Sequence, residues 1–429
     1  MPIESKKNNK GQALITAIIF FLFISTTITL GVANPVLRQL NISNDLVRSK
    51  NSYFLSESLS EDLTYRLKTG KQVSASESLT LSGETATALV SDILGGKRII
   101  ATGNFSDATR KVQTDLIMGA GVSFSYGVQS GEGGMHIKNT ALVSGNVFSN
   151  GPVTGENSNL IKGDVISAGP SGSIYKIHAT SSAYAHTITD SQIDKNAYYQ
   201  VISGTTVGGV SYPNSPDQAT AALPISDAKI TEWENEAALG GTVSCSGSTY
   251  NISGSVTIGP KKIPCDLRVD GSDSVTLTGP LWVTGKITVS NSATFRIHSS
   301  LGNRSVVVIA DDPLNRITSS NIELQNTTSF YGTGQPGSYI LFISANQSAE
   351  QSGNEEAIEV QNSAQGALLV YAGHGDINLK NSVKIKEVTA YKITLQNSAQ
   401  VIYETGLANL LFTAGPGGGY TIDEWKETE

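Results

Sequence analysis

The chain has 429 residues, enough for two or three domains, and a net charge of −7 with only 16% charged residues. Its 43 glycines, with frequent Ser, Thr and Asn, disfavour a helical enzyme and favour a β-rich, turn-rich exterior protein. No basic run follows the N-terminal lysines, so nucleic-acid binding has no electrostatic support.

The first element is the charge-free stretch Ala13–Ala33, preceded by Lys6, Lys7, Lys10 and Gly11. About 20 apolar residues cross a bilayer as a helix. Basic residues on the N-terminal flank favour a cytoplasmic N-terminus, with the bulk of the chain outside. The stretch is either an anchor or a signal, the latter cut after Ala33 beside the small Gly31. It is longer than the roughly 7–15 residues of a signal core, which favours the anchor. Beyond it, Leu37, Leu40, Val47, Phe54, Leu55, Leu59, Leu63 and Leu67 recur at helical spacing, with Asp45, Arg48, Glu57, Glu61, Asp62 and Arg66 on the other faces. The pattern predicts one nearly continuous helix to Lys68, kinked at Pro35 and stopped near Gly70. An anchor followed by a separate surface helix is the alternative.

KGQALITAIIFFLF and the amphipathic segment ending SESLSEDLTYRL resemble the N-terminus of PilX-type minor pilins, which belong to the type IV pilin-like proteins. The resemblance covers about the first 70 residues. It implies a short basic leader ending at Gly11, a mature chain starting at Gln12, and a long assembly helix. Two positions depart from the major pilins: Gln12 stands where Phe is usual, and Thr16 where Glu is usual. A minor rather than a major pilin is therefore implied.

Residues 97–117 read as two strands around a Gly-Asn and Ser-Asp turn, a small β cap of the kind common after the pilin helix. Cys245 and Cys265 fall in the part expected outside the cell, where an oxidising compartment favours a disulfide; two unrelated buried thiols are the alternative.

The body carries an internal repeat. IELQNTTSF from Ile322, INLKNSVKI from Ile377, ITLQNSAQV from Ile393, ITVSNSATF from Ile287 and IEVQNSAQG from Ile358 share an Asn-centred pattern. MHIKNTALV from Met135 is a sixth copy far upstream. YNISGSVTI from Tyr250 and VTLTGPLWV from Val275 are degenerate copies with Gly for Asn. Strict alternation through ITLQNSAQV would point Ile393, Leu395, Asn397, Ala399 and Val401 inward together. The expected fold is thus mainly β: a right-handed parallel β-helix behind the long helix, with Asn291, Asn326, Asn362, Asn381 and Asn397 as a buried ladder. The Asn spacings imply coils of about 16–19 residues, with doubled gaps where a copy has degenerated. An antiparallel sandwich is the alternative. The segment from Gly366 to Leu407, with Gly366, Ala367, Tyr371, Ala372, Asn381, Asn397 and Tyr403, resembles the C-terminal β-helix domain found behind PilX-like N-termini in bacterial surface proteins.

The expected limits are a leader (1–11), the membrane and pilin-like helix (12–70), a β connector (71–120), the coiled body (121–410) with an insertion at about 175–240, and a flexible tail (411–429). Within the insertion, Ser226 or Asp227 caps a short helix.

Chemical motifs fail on inspection. GTGQPG at Gly332–Gly337 has the glycine spacing of a dinucleotide loop, but SYILFISA after it reads as a strand, so no helix N-terminus would hold a pyrophosphate. GPLWVTGK at Gly279–Lys286 is not a phosphate loop. No G-x-S-x-G elbow occurs, and His136, His178, His186, His298 and His374 lack zinc spacing. HGD at His374–Asp376 reads as a turn between coils. Asp311 and Asp312, with Arg316 nearby, are an adjacent acid pair in the later coils that could serve a glycan-degrading enzyme, although DDPLN reads better as a turn. No cofactor or metal is expected. The expectation is a non-enzymatic, membrane-anchored surface protein: a minor pilus subunit whose partners are the membrane, other pilin subunits, the assembly machinery and a surface ligand. A membrane-anchored adhesin outside any filament comes second, and a polysaccharide-active enzyme third.

Overall fold

The computed structural model describes residues 10–68, 73–81, 83–93, 96–120, 122–404, 407, 410, 412 and 418–428. It is mainly β with one long N-terminal helix. The chain divides into two compact units, one of residues up to Tyr65, Val73–Ile117 and Ile422–Glu429, the other of Arg66–Gln72 and Met118–Thr421.

The first unit is built on helix α1, Lys10–Lys68, continuous over 59 residues with Pro35 inside it. At 1.5 Å per residue it is about 90 Å long. Ser52, Leu55, Ser56, Leu59, Ser60, Leu63 and Thr64 recur every three or four residues and are all buried. They lie on an antiparallel sheet of β1 (Ser76–Leu81), β2 (Glu84–Ile93), β3 (Gly96–Phe105) and β4 (Ala108–Ala120). Ala86, Ala88, Ile99, Ala101, Val112 and Leu116 supply its covered face. The serines allow close approach. Ser52 Oγ donates to the Gly103 carbonyl at 2.6 Å, and Ser60 and Thr114 share a hydroxyl bond of 2.7 Å. A Cβ at Gly103 would sit 2.2 Å from the Ser52 carbonyl oxygen. The β3–β4 hairpin turns at Ser106 and Asp107, both at positive φ, as a two-residue hairpin requires.

Part of the tail expected to be flexible is a strand instead. Gly418–Thr428 adds to β4 as the fifth strand, and Arg110 bonds Glu427 at 2.9 Å.

The second unit is a stack of coils joined by parallel pairing. A typical coil has three strands, as in Leu281–Val283, Ile287–Val289 and Thr294–Ile297, each paired in parallel with its counterparts in neighbouring coils. Inward side chains align in columns. One column runs Leu267, Ile287, Ile322, Ile358, Ile377, Ile393, Met135, Val153, Ile174, all essentially buried. Each such side chain contributes about 1.5–3 kcal/mol, an upper range for burial from an extended chain.

The order of coils differs from the order of sequence. β5 (Val128–Ile137) pairs on one side with Val147–Ser149 and Val153–Gly155, and on the other with Glu387–Gln396. The chain therefore enters the stack at its middle and coils outward to Ser211–Pro213. It then returns through residues 214–240 and builds the other half from Thr242, which pairs with Lys262, and Thr249–Ile252 inward to Gln400–Ile402, which pairs with Leu142–Ser144. The upstream copy MHIKNTALV is thus the immediate neighbour of ITLQNSAQV.

Three further expectations change. Residues 175–213 are not an insertion but regular coils as short as 14 residues; the excursion runs from 214 to about 240, since Thr242 already pairs in parallel with Lys262. The helix within it, α2 (Asp227–Leu239), is capped by the Ser226 hydroxyl, which accepts from Lys229 N–H. The wide Asn gaps are not doubled coils. Asn326 bonds Asn291 directly across 35 residues, and the extra chain forms excursions at the coil corners. VTLTGPLWV lies on a different corner from the Asn copies, between Ser274–Leu277 and Leu281–Val283.

α2 explains two strands buried along their whole length. Val306–Ala310 and Ile340–Ser344 are buried at every position. Their inward residues join the central core, while Val307, Ile309, Leu341 and Ile343 pack with Trp233 and Ile230 of α2. A strand covered on both faces reads as a continuous apolar run.

Candidate functional site

The N-terminal half of α1 exposes Leu14, Ile15, Ile18, Ile19, Phe20, Phe21, Leu22, Phe23, Ile24, Ile28 and Leu30. α1 is long and apolar enough to cross a membrane. Its hydroxyls are compatible with an apolar medium, because Thr26, Thr27 and Thr29 donate back to the carbonyls of Leu22, Phe23 and Ser25 at 2.7, 2.7 and 2.8 Å. Gly11 and Gln12 lie in the first turn of α1, and residues 1–9 of the leader lie outside the described residues.

The asparagines form a continuous ladder. Nδ2 of Asn326, Asn362, Asn381 and Asn397 donates to Oδ1 of Asn291, Asn326, Asn362 and Asn381 respectively, at 2.9–3.0 Å. Asn139 and Asn157 extend it at 3.0 and 3.2 Å, and Asn291 closes the other end on Asp270 at 2.7 Å. The ladder is not buried as expected: Asn291 and Asn397 are exposed, and Asn362 and Asn381 half-buried. Each Asn and the Ser or Thr after it has positive φ, for example 60° at Asn381 and 64° at Ser382. Two successive left-handed residues break the strand and reset its alternation, so Leu395 and Ala399 both point inward while Asn397 sits on the corner between them. Asn is the residue with a side chain that enters this region most readily. A hydrogen bond with Arg268 leads the contacts that hold the Asp270 carboxyl below its usual range, followed by Ser290, the Gly271 N–H and Asn291.

Cys245 and Cys265 are joined by a disulfide, their Cα atoms 6.4 Å apart. It ties the segment entering the outermost coil to that coil.

The acid pair resolves into two different roles. Asp311 is fully buried and takes a bidentate bond from Arg316, at 2.8 Å from Nε and 2.6 Å from Nη2. Asp312 accepts from the Leu314 N–H in a turn. Glu234 of α2 joins the buried pair, and burial, followed by the hydrogen bond with Asp311 and then its charge, pushes its carboxyl well above the usual carboxylate range. His374 is not in a turn but within the strand Leu368–Lys380, between Glu350 and Asp227. Burial pulls its pKa down, but those two carboxylates outweigh burial and raise it. This network joins α2 to the stack and opens onto no sizeable cavity. Another carboxyl, Glu387, is fully buried, and its burial raises it strongly.

A groove of about 550 Å³ lies on the outer face of the third strand row, running on into a second of about 500 Å³ beneath the Gly332–Gly337 loop. That loop precedes the strand Ile340–Ser344, so the glycine spacing builds a groove wall and not a nucleotide site. Tyr331, Ala367, Lys384 and Lys386 line the groove. Their outward positions follow from strand alternation once coil register is known, but no local motif marks them. Among the described residues, no group of three or more His, Cys, Asp or Glu could hold a metal ion.

No family model matches the chain, and no curated protein matches it. A solved structure with some likeness is that of the competence-associated pilin ComZ from Thermus thermophilus. It is 9% identical, the match covers 89% of this chain and 97% of that one, and the TM-score is 0.34. A likeness at that level carries no argument about function.

Proposed function

We propose that this chain is a non-enzymatic, membrane-inserted, pilin-like surface protein of the PilX type, a minor or accessory subunit of a type IV pilus or related filament. The observation that supports the reading best is the division of labour along α1. Its first half is apolar and uncovered, and its second half is docked on an antiparallel sheet by Leu55, Leu59 and Leu63. A helix of this kind can sit in a bilayer and then transfer to a bundle of like helices without changing its fold. The stacked coils are read as a right-handed parallel β-helix, a head held outside the cell for adhesion or priming. The buried, ion-paired state of Asp311 supports a structural rather than a catalytic role for that acid pair.

The test is to shear surface filaments from cells making the full chain and probe them for the protein. Recovery with the filaments supports the filament reading. Retention in the membrane fraction with an intact N-terminal helix would favour a membrane-anchored adhesin outside any filament.

A further inference from the structure

The outer face of the third strand row carries a vacancy. Coil register aligns Thr294, Ser329, Gln365, Lys384 and Gln400. Two residues further along the same rungs come Arg296, Tyr331, Ala367, Lys386 and Ile402. Arg296 lies over the Tyr331 ring, 4.4 Å from its centroid. On the next coil, at Ala367, there is only a methyl group, and Gly366 beside it has φ of 135° and no room for a Cβ, which would meet the Phe330 carbonyl oxygen at 2.1 Å. The row is thus interrupted for one coil between Tyr331 and Lys386, and the groove opens there.

Its electrostatics oppose those of the whole chain. The chain is acidic overall, yet this strip presents Arg296, Lys384 and Lys386. The acid among the described lining residues is Glu404, which is held by Lys386 and accepts from the Tyr339 hydroxyl at 2.5 Å. Lys384 makes no ion pair among the described residues and is exposed. An aromatic platform beside Lys384, whose charge no described carboxylate neutralises, suits a ring with an apolar face and an anionic substituent. The groove holds several such rings by volume and runs across the coils.

We infer that the gap at Ala367, between Tyr331 and Lys386, is a binding subsite for an acidic oligosaccharide of the uronic-acid type. One pyranose ring stacks in the gap beside Tyr331, and its carboxylate faces Lys384. Among the described residues the groove does not hold the pair of carboxylates that glycoside hydrolysis uses, and the inference concerns binding alone. The inference stands apart from filament assembly, since it concerns only what the head binds.

The experiment is calorimetric titration of the full chain in detergent with tetragalacturonate, and with maltotetraose as the neutral control. The variants are Ala367→Leu, which fills the gap, Tyr331→Ala and Lys384→Gln. Thermal melting is recorded for each, and Lys384→Gln, at an exposed position, keeps the test meaningful if Ala367→Leu does not fold. The expected result is binding of tetragalacturonate that weakens with salt, with at least tenfold loss in Ala367→Leu and Tyr331→Ala and several-fold loss in Lys384→Gln. No binding at millimolar tetragalacturonate overturns the inference. So does equal binding of maltotetraose, or affinity that none of the folded variants changes.

Discussion

Replacing Asn381 separates the two roles of the ladder. Its Nδ2 donates to Asn362 at 2.9 Å, and its Oδ1 accepts from Asn397 at 3.0 Å. Each bond is half-exposed, so their joint loss costs about 1–2 kcal/mol at the lower end of the usual range. The backbone adds a second term, because φ is 60° at this residue. A residue with an ordinary side chain there costs roughly 1–2 kcal/mol more. Asn381→Ala should therefore lose about 2–4 kcal/mol by the sum of these terms. Asn381→Gly removes the bonds but tolerates the φ, so it should lose less. Urea unfolding of both variants, followed by tryptophan fluorescence and circular dichroism, gives the comparison. Equal midpoints for Ala and Gly would refute the backbone term, and midpoints equal to the parent's would refute the ladder.

Non-reducing peptide mass spectrometry should recover Cys245 linked to Cys265, and the double Ser variant should lose about 3 kcal/mol in the chain-entropy treatment of a loop of this size. Gly103→Val should disturb the seating of α1, because even a Cβ would overlap the Ser52 backbone. The measurement is proteolytic sensitivity at residues 50–66, and unchanged protection would contradict the close approach. Glu387→Gln should change the pH dependence of stability. The folded-state pKa of Glu387 lies above its unfolded value, so the parent is favoured by this group below about pH 4 and loses that advantage as pH rises. The variant should thus gain on the parent between pH 5 and pH 8 in thermal melts, and a constant difference across that range would count against a buried neutral carboxyl.

The long helix was legible because its signal is local: a charge-free run followed by Leu55, Leu59 and Leu63 at helical spacing. The coil repeat was legible for the same reason, since each copy carries its own Asn and flanking apolar residues. Side-chain direction at the Asn was not, because alternation was carried through a corner where two left-handed residues reset it. The coils at 175–213 were hidden by their corner chemistry. There single positive-φ residues, Lys176, Asp190 and Gly204, replace the Asn-Ser pair. Stack order was beyond any local pattern, since entry at the middle is decided by pairing between residues such as Ile393 and Met135, far apart in sequence. The groove depends on that order too, because the vacancy at Ala367 exists only when Tyr331 and Lys386 lie on the coils either side of it.

The central claim is tested most directly by mapping the N-terminus of the protein recovered from the cell surface. The account predicts a chain beginning at Gln12, with the apolar half of α1 retained. A chain beginning at Asn34 would have lost the apolar half of α1, and would contradict both the anchor and the filament.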